Sequence, residues 1–103
     1  MINLTILKSN DAITTIQAKG HSGYAEAGQD IVCSAISTIM QTTLIGLTDV
    51  VKTNVDYEID ENIPFMRISV SESDKQAQLL MKTAYLAVKQ IAVDYKNYIK
   101  IKE

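Results

Sequence analysis

The sequence contains one cysteine and one histidine among its 103 residues. With a single thiol the chain cannot form an internal disulfide, and a lone cysteine is more typical of a reducing cytosol than of a secreted fold. The amino terminus has neither the basic nor the apolar segment of a secretory signal. Threonine, serine or glutamine interrupts the apolar runs well before a membrane-spanning length of roughly 18 residues. We therefore expect a soluble, cytoplasmic protein with no membrane partner.

Basic residues are also too few for a typical nucleic-acid-binding protein. Ten lysines and arginines face twelve aspartates and glutamates, which gives a net charge of -2. A protein that binds DNA or RNA directly normally shows a basic face or stripe. Lysines do gather near the carboxyl end, but Asp94 and Glu103 lie among them. The charge pattern predicts no direct contact with nucleic acid.

Hydrophobic periodicity indicates the fold class. Alternating apolar and polar residues predict five strands, at residues 2–8, 12–19, 55–60, 66–70 and 99–102. Apolar residues at helical spacing predict one helix over 31–52 and a second with its stripe over 77–92, capped by Ser71 or Ser73. The order β-β-α-β-β-α-β indicates a single α+β domain over residues 1–103, with two helices packed on one face of a mainly antiparallel sheet.

The candidate chemistry lies between the second strand and the first helix. His21 stands in a glycine-rich loop that begins at Gly20, and Cys33 lies twelve positions later, in the first turn of the predicted helix. A helix N-terminus stabilises a nearby anion by only about 0.3–1 kcal/mol, so a strongly reactive thiolate also needs a cationic partner. His21 is the only histidine that can supply one.

Asp30 has two alternative roles next to this pair. As the N-cap of the helix it would accept a hydrogen bond from the N–H of Val32 or Cys33, which competes with the use of those groups to hold an oxyanion. It would otherwise orient His21 from behind, as the third member of a triad, with Glu26 as a weaker candidate for that role.

The pattern of residues alone leaves non-catalytic interpretations open. A lone cysteine in an apolar helix is usually a core residue, and a lone loop histidine is usually solvated. Ser37, one turn after Cys33, either shares the face of the cysteine or hydrogen-bonds back to a carbonyl. No standard zinc spacing and no phosphate-binding glycine motif is present, so we expect neither a metal nor a cofactor.

Two segments resemble the ribosomal-processing cysteine proteases known as Prp. The first is Gly-His at residues 20–21, and the second is Gly-Gln-Asp-Ile-Val-Cys at residues 28–33. The length and the element order agree over essentially the whole chain. Many members of the family have alanine where Ser22 stands and a small residue where Ser34 stands, but these departures leave the Cys-His pair intact.

The resemblance implies a cysteine endopeptidase that removes the N-terminal extension of a bacterial large-subunit ribosomal protein, cutting after an aromatic-containing motif. It implies that Cys33 is the nucleophile and His21 the general base, with Asp30 and Ser37 as supporting residues. It also implies a homodimer and a gating loop over residues 22–29, whose positions of interest are Ser22, Gly23, Tyr24 and Gly28.

Two other functions remain as alternatives. The first is a non-catalytic ribosome-associated or protein-binding module in which the cysteine is structural. The second is a metal-dependent hydrolase, for which a strong chelator would abolish activity.

Overall fold

The computed structural model describes residues 1–21, 30–60 and 62–103 of the chain. The elements in chain order are β1 (Ile2–Ser9), β2 (Ala12–Lys19), α1 (Ile31–Ile45), a π-helical segment (Gly46–Val50), β3 (Val55–Asp60), β4 (Phe65–Val70), α2 (Lys75–Asp94) and β5 (Ile99–Lys102). The predicted β-β-α-β-β-α-β order is confirmed, including the short closing strand.

The five strands form one mixed sheet in the order β3-β4-β2-β1-β5. Three of the strand pairs are antiparallel, and β1 pairs with β5 in parallel. The parallel pair follows from connectivity, because α2 carries the chain across the sheet before β5 begins. The sheet is therefore mainly antiparallel, as the sequence predicts.

Both helices pack on the same face of this sheet. In the middle of the sheet, Ile6 pairs with Ile16 and Ile16 pairs with Ile68, and all three side chains are almost completely buried. The helices supply further fully buried side chains, among them Val32, Met40, Met81 and Val88. The opposite face of the sheet is polar, and the hydroxyls of Thr15 and Ser69 are hydrogen-bonded across it at 2.8 Å.

The end of the first helix differs from the prediction of one helix over 31–52. The α-helix ends at Ile45, and a π-helical segment continues to Val50, where the N–H of Val51 donates to the carbonyl of Gly46 at 2.9 Å. At this point the two helices approach closely, since a Cβ at Gly46 would lie 3.0 Å from Leu80 Cδ1. Hydrophobic periodicity continues through the segment, so it cannot reveal the change in hydrogen bonding.

The cap of the second helix corrects a further prediction. Neither Ser71 nor Ser73 is the N-cap of α2; the cap is Asp74, whose Oδ1 accepts the N–H of Ala77 at 3.0 Å. The other carboxylate oxygen of Asp74 accepts a hydrogen bond from the Thr53 hydroxyl. The two serine hydroxyls are instead hydrogen-bonded to each other at 2.9 Å, in the turn that precedes the helix.

One helical segment also has membrane-like composition. Residues Ile31–Val50 are long and apolar enough to cross a membrane by length and composition alone, with a mean hydropathy of 1.5. Serine, threonine and glutamine interrupt the apolar residues of this segment, as the sequence-based expectation states, and the value of 1.5 is an average over the segment. Core helices of soluble proteins pass the same test, and Val32, Ile36, Met40 and Leu47 of this segment are buried in the fold.

Candidate active site

The start of α1 is fixed by Asp30. This residue has extended backbone, and its Oδ1 accepts the N–H groups of Val32 and Cys33, each at 3.0 Å. Its side chain lies inside the fold, where the residue is only 7% exposed. The predicted N-cap is therefore confirmed, and the carboxylate satisfies two of the backbone donors that a helix start leaves without helical partners.

Cys33 is the third residue of α1 and is half-buried. One side of it packs against the hydrophobic core, and it also lines an open cavity. The thiol is therefore not sealed among hydrocarbon side chains, which distinguishes it from a purely structural core cysteine.

Gly20 follows the last residue of β2 and precedes His21, so its backbone conformation sets the position of the histidine. Its N–H donates to the carbonyl of Pro64 at 2.9 Å, and its φ of +101° lies in the region that favours glycine. A Cβ built on Gly20 would lie 2.7 Å from the carbonyl oxygen of Met1, so any larger residue would collide with backbone. The glycine before the histidine is thus required by the packing of the amino terminus against β2.

His21 and Cys33 line the same cavity, which has a volume of about 310 Å³ and lies between α1 and the sheet. Ser37 lines it as well, one helical turn beyond Cys33. Asp30 is not among the lining residues, because its carboxylate is turned to the backbone of the helix start. The structure thus places three of the predicted site residues, His21, Cys33 and Ser37, in one cavity. The fourth, Asp30, lies outside the lining of that cavity, at the start of α1.

The predicted gating loop lies outside the described residues. Ser22, Gly23, Tyr24 and Gly28 belong to residues 22–29, as does Glu26, the alternative partner for His21. The prediction of a gating role for this loop therefore stays a prediction.

Sequence reasoning missed most of the cavity wall. The apolar side chains that line it come from both helix and sheet, and they include Ile2, Ile36, Met40, Ile59 and Met66. Gln41 lies eight residues after Cys33 on the same face of α1, so helical spacing could have identified it. The residues from the β3–β4 hairpin could not have been found in this way, because only the sheet order brings that hairpin to the cysteine.

Metal-ligating groups are not clustered in the part of the chain that the structure describes. No set of three or more His, Cys, Asp or Glu side chains there is arranged to hold a metal ion. The described part of the site offers a thiol, an imidazole, a hydroxyl and an apolar cavity, and a thiol next to an imidazole can support covalent catalysis.

Comparison with known proteins assigns the family. The family model described as cysteine protease Prp matches residues 1–100. The chain belongs to the Prp family of cysteine proteases. The ribosomal processing cysteine protease Prp of Staphylococcus aureus (strain NCTC 8325 / PS 47) is 25% identical over 103 residues, covering 98% of this chain and 97% of that protein. The Prp of Bacillus subtilis (strain 168) is 26% identical over 107 residues, covering 98% of this chain and 96% of that protein.

The fold agrees with that of solved Prp structures. The crystal structure of Prp from S. aureus with a covalently linked product peptide has a TM-score of 0.91 to this chain, at 25% sequence identity. The match covers 99% of this chain and 98% of the S. aureus chain. The α+β fold and the cysteine protease class predicted from the sequence are thus confirmed, and a non-catalytic module is not favoured.

Proposed function

We propose that this Prp-family protease cleaves a ribosomal protein precursor, with Cys33 as nucleophile and His21 as general base and acid. The observation that carries the proposal is that the only cysteine and the only histidine of the chain line one cavity. The segments that contain them, Gly-His at residues 20–21 and Gly-Gln-Asp-Ile-Val-Cys at residues 28–33, resemble motifs of the family. The apolar wall of the cavity, which includes Met40 and Met66, suits a large apolar side chain next to the scissile bond.

The reaction follows from the chemistry of the pair. His21 takes the proton of the Cys33 thiol, the resulting thiolate attacks the scissile carbonyl carbon, and the electron pair of the C=O bond moves onto oxygen. When the C–N bond breaks, the imidazolium of His21 gives its proton to the leaving amine, and a thioester remains. Water then attacks the thioester while His21 takes the proton of the water, and the C–S bond breaks to release the acid and restore the pair.

We propose a positioning role for Asp30. Its Oδ1 accepts the N–H groups of Val32 and Cys33, so in this arrangement those donors hold the carboxylate rather than a developing oxyanion. The cap fixes the backbone that carries the sulfur. Ser37 also lines the cavity, and we propose that its hydroxyl contacts the bound peptide.

The substrate class is supported by the relatives. The matched proteins of S. aureus and B. subtilis are named ribosomal processing proteases, and the S. aureus structure holds a covalently linked product peptide. We propose the same substrate class for this chain, the N-terminal extension of a large-subunit ribosomal protein, and a cytoplasmic location, where ribosomes assemble.

A direct test uses Cys33→Ala with a precursor of the large-subunit ribosomal protein. The wild type is expected to shorten the precursor, and the alanine variant is expected to leave its mass unchanged while unfolding at nearly the same temperature. Cleavage by the alanine variant would refute the nucleophile. Cleavage that a strong chelator abolishes would favour a metal-dependent hydrolase.

We also propose a homodimer without direct contact to membrane or nucleic acid. Three large apolar residues at a spacing of seven, Leu79, Leu86 and Val93, lie on the solvent side of α2, exposed by 72%, 57% and 70%. Helices use such rows to pair with other helices. Light scattering should give twice the monomer mass for the wild type and a monomer for Leu86→Glu. An unchanged mass for that variant would place the dimer contact elsewhere.

A further inference from the structure

The outer strand β3 has an exposed apolar side. Its described strand neighbour is β4 alone, so β3 forms one edge of the sheet. Tyr57 pairs with Ile68 and Ile59 pairs with Met66, which puts both β3 side chains on the face that carries the helices. Ile68 and Met66 are buried, but Tyr57 and Ile59 remain about half exposed, at 51% and 50%. The helices therefore do not cover this edge.

The other side of β3 is acidic. Asp56 and Glu58 alternate with the apolar residues, and their side chains are 77% and 63% exposed. Arg67 of β4 is the neighbouring cation, with distances of 3.2 Å to Asp56 Oδ2 and 3.7 Å to Glu58 Oε1. One arginine faces two carboxylates, and β3 itself has no basic residue. The edge thus carries a net negative charge.

The edge is continuous with the candidate active site. Ile59 and Asp60, at the end of β3, line the cavity that also contains His21 and Cys33. An extended chain that leaves the cavity at this end therefore meets the outer edge of β3 directly.

The opposite edge of the sheet has different properties. Strand β5 is only four residues long, and its two exposed positions are Lys100 and Lys102. Short length and charged side chains, especially lysine, are among the features by which proteins discourage pairing at an edge strand. The six-residue β3 is longer than β5, its charged side chains are acidic rather than basic, and its other face carries apolar side chains.

We propose that the polypeptide substrate binds along the outer edge of β3 as an additional strand. Apolar side chains of the substrate then pack on Tyr57 and Ile59, and the alternate side chains, preferably basic, face Asp56 and Glu58. Ribosomal proteins suit this surface, because proteins that bind RNA are rich in lysine and arginine. In strand addition the main chain supplies affinity and the alternate side chains supply specificity. The inference rests on the proposed function.

The first test compares two peptides with the same scissile region and an alternating flank. The flank carries an apolar residue at every second position, with either lysine or glutamate between. Two exposed charge pairs predict that the wild type prefers the lysine peptide in kcat/KM by about two- to thirtyfold at low salt, mainly through KM. Asp56→Asn with Glu58→Gln should remove the preference. The matched control, Asp11→Asn with Glu72→Gln, removes the same charge elsewhere and should retain it.

The second test replaces successive amides of the lysine flank by N-methyl amides. Strand addition predicts a period of two, since only every second amide of an added strand faces the edge. N-methylation at alternate positions should lower kcat/KM, and the intervening positions should have little effect.

The outcomes separate this inference from the proposed function. If the wild type cleaves both peptides equally and the N-methyl series is flat, strand addition is overturned, although Cys33-dependent cleavage still supports the protease. If the wild type cleaves neither peptide nor the precursor, the proposed function fails and the inference fails with it. If the Asp56 and Glu58 substitutions change the oligomeric mass instead of KM, β3 is a contact between copies of the chain, which also overturns the inference.

Discussion

The two helices begin in the same way and differ in what faces their first turn. Both N-caps are aspartates with extended backbone, at φ -82° and ψ 100° for Asp30 and φ -82° and ψ 102° for Asp74. Each carboxylate accepts the N–H of the third helical residue at 3.0 Å, which is Cys33 in α1 and Ala77 in α2. Ala77 is completely buried, whereas Cys33 lines a cavity together with His21.

This comparison shows that a capped helix start is not by itself a reactive site. The stabilisation of an anion by a helix N-terminus, about 0.3–1 kcal/mol, is available at both starts. What distinguishes α1 is the imidazole and the open apolar cavity next to it. Substitutions that alter those features next to α1 should therefore lower activity, whereas matched substitutions in α2 and its surroundings should have no effect on catalysis.

The largest effect is expected for His21→Ala. Loss of a general acid and base should lower kcat/KM by about 10²- to 10⁴-fold. Because His21 is exposed, the free energy of unfolding should change by less than about 0.5 kcal/mol. Lys75→Ala, at an exposed position in the first turn of α2, is the matched control and should leave kcat/KM unchanged. Peptide cleavage and chemical denaturation measure both quantities, and retained activity in the histidine variant would remove the basis of the comparison.

Gly20→Ala should have the next largest effect. The positive φ and the 2.7 Å approach to Met1 oxygen predict a loss of about 1–3 kcal/mol in unfolding free energy, with a lower kcat as His21 shifts. Gly46→Ala provides the control, because Gly46 has a helical φ of -59° and the close atom belongs to the movable side chain of Leu80. The control should change stability by less than about 1 kcal/mol and leave kcat unaffected. Equal effects of the two substitutions would contradict this account of Gly20.

The two caps give the most closely matched pair. Asp30→Ala and Asp74→Ala should each cost about 0.5–2 kcal/mol of unfolding free energy. Only Asp30→Ala should also lower kcat/KM and the alkylation rate of Cys33, because only that cap holds the backbone of the nucleophile. Asp30→Asn should restore stability, since asparagine is an equally good cap. If both alanine variants reduce activity in proportion to their stability, the positioning role of Asp30 is wrong.

The smallest effect is expected at Glu103, which lies against α2 far along the sequence from the cysteine. Hydrogen bonds from Lys8 and Tyr85 lower the pKa of Glu103 from 4.5 to about 2. A lowered carboxyl pKa stabilises the fold above about pH 4.5, and this stabilisation is lost as the pH falls towards 2. Glu103→Gln should therefore melt slightly below the wild type at pH 7 and together with it near pH 2, at unchanged kcat/KM.

One result would contradict the prediction for Glu103→Gln. A difference in melting temperature that grows as the pH falls would mean that the ion pairs of Glu103 with Lys8 and Lys89, at 2.7 Å and 3.5 Å, do not act as described.

Local sequence predicts most of the elements but not their spatial arrangement. Period-two alternation identifies β3 and β4, and Asp30 identifies the start of α1, because these signals depend on neighbouring residues alone. The parallel pairing of β1 with β5 depends on the path of α2 across the sheet, and nothing local encodes it. The cap of α2 lies one to three residues after the serines that the sequence favours, because several residues in that turn can accept a backbone hydrogen bond.

In the site, too, local sequence predicts some features, and others depend on the spatial arrangement of the elements. The chemistry of the two residues and the resemblance to the family motifs predict the pairing of His21 with Cys33. The placement of Ile59 and Pro64 opposite the cysteine is a result of sheet order, so periodicity could not have predicted it. The need for glycine at position 20 arises from a contact with Met1, nineteen residues earlier in the chain.

The most direct test of the central claim is the rate at which iodoacetamide alkylates Cys33 at pH 6.5, in the wild type and in His21→Ala. An ordinary thiol is only roughly 1% thiolate at this pH. If His21 stabilises the thiolate, the wild type should react about ten- to a hundredfold faster than the variant. Equal, slow alkylation of both proteins would contradict the pairing of imidazole and sulfur on which the account depends.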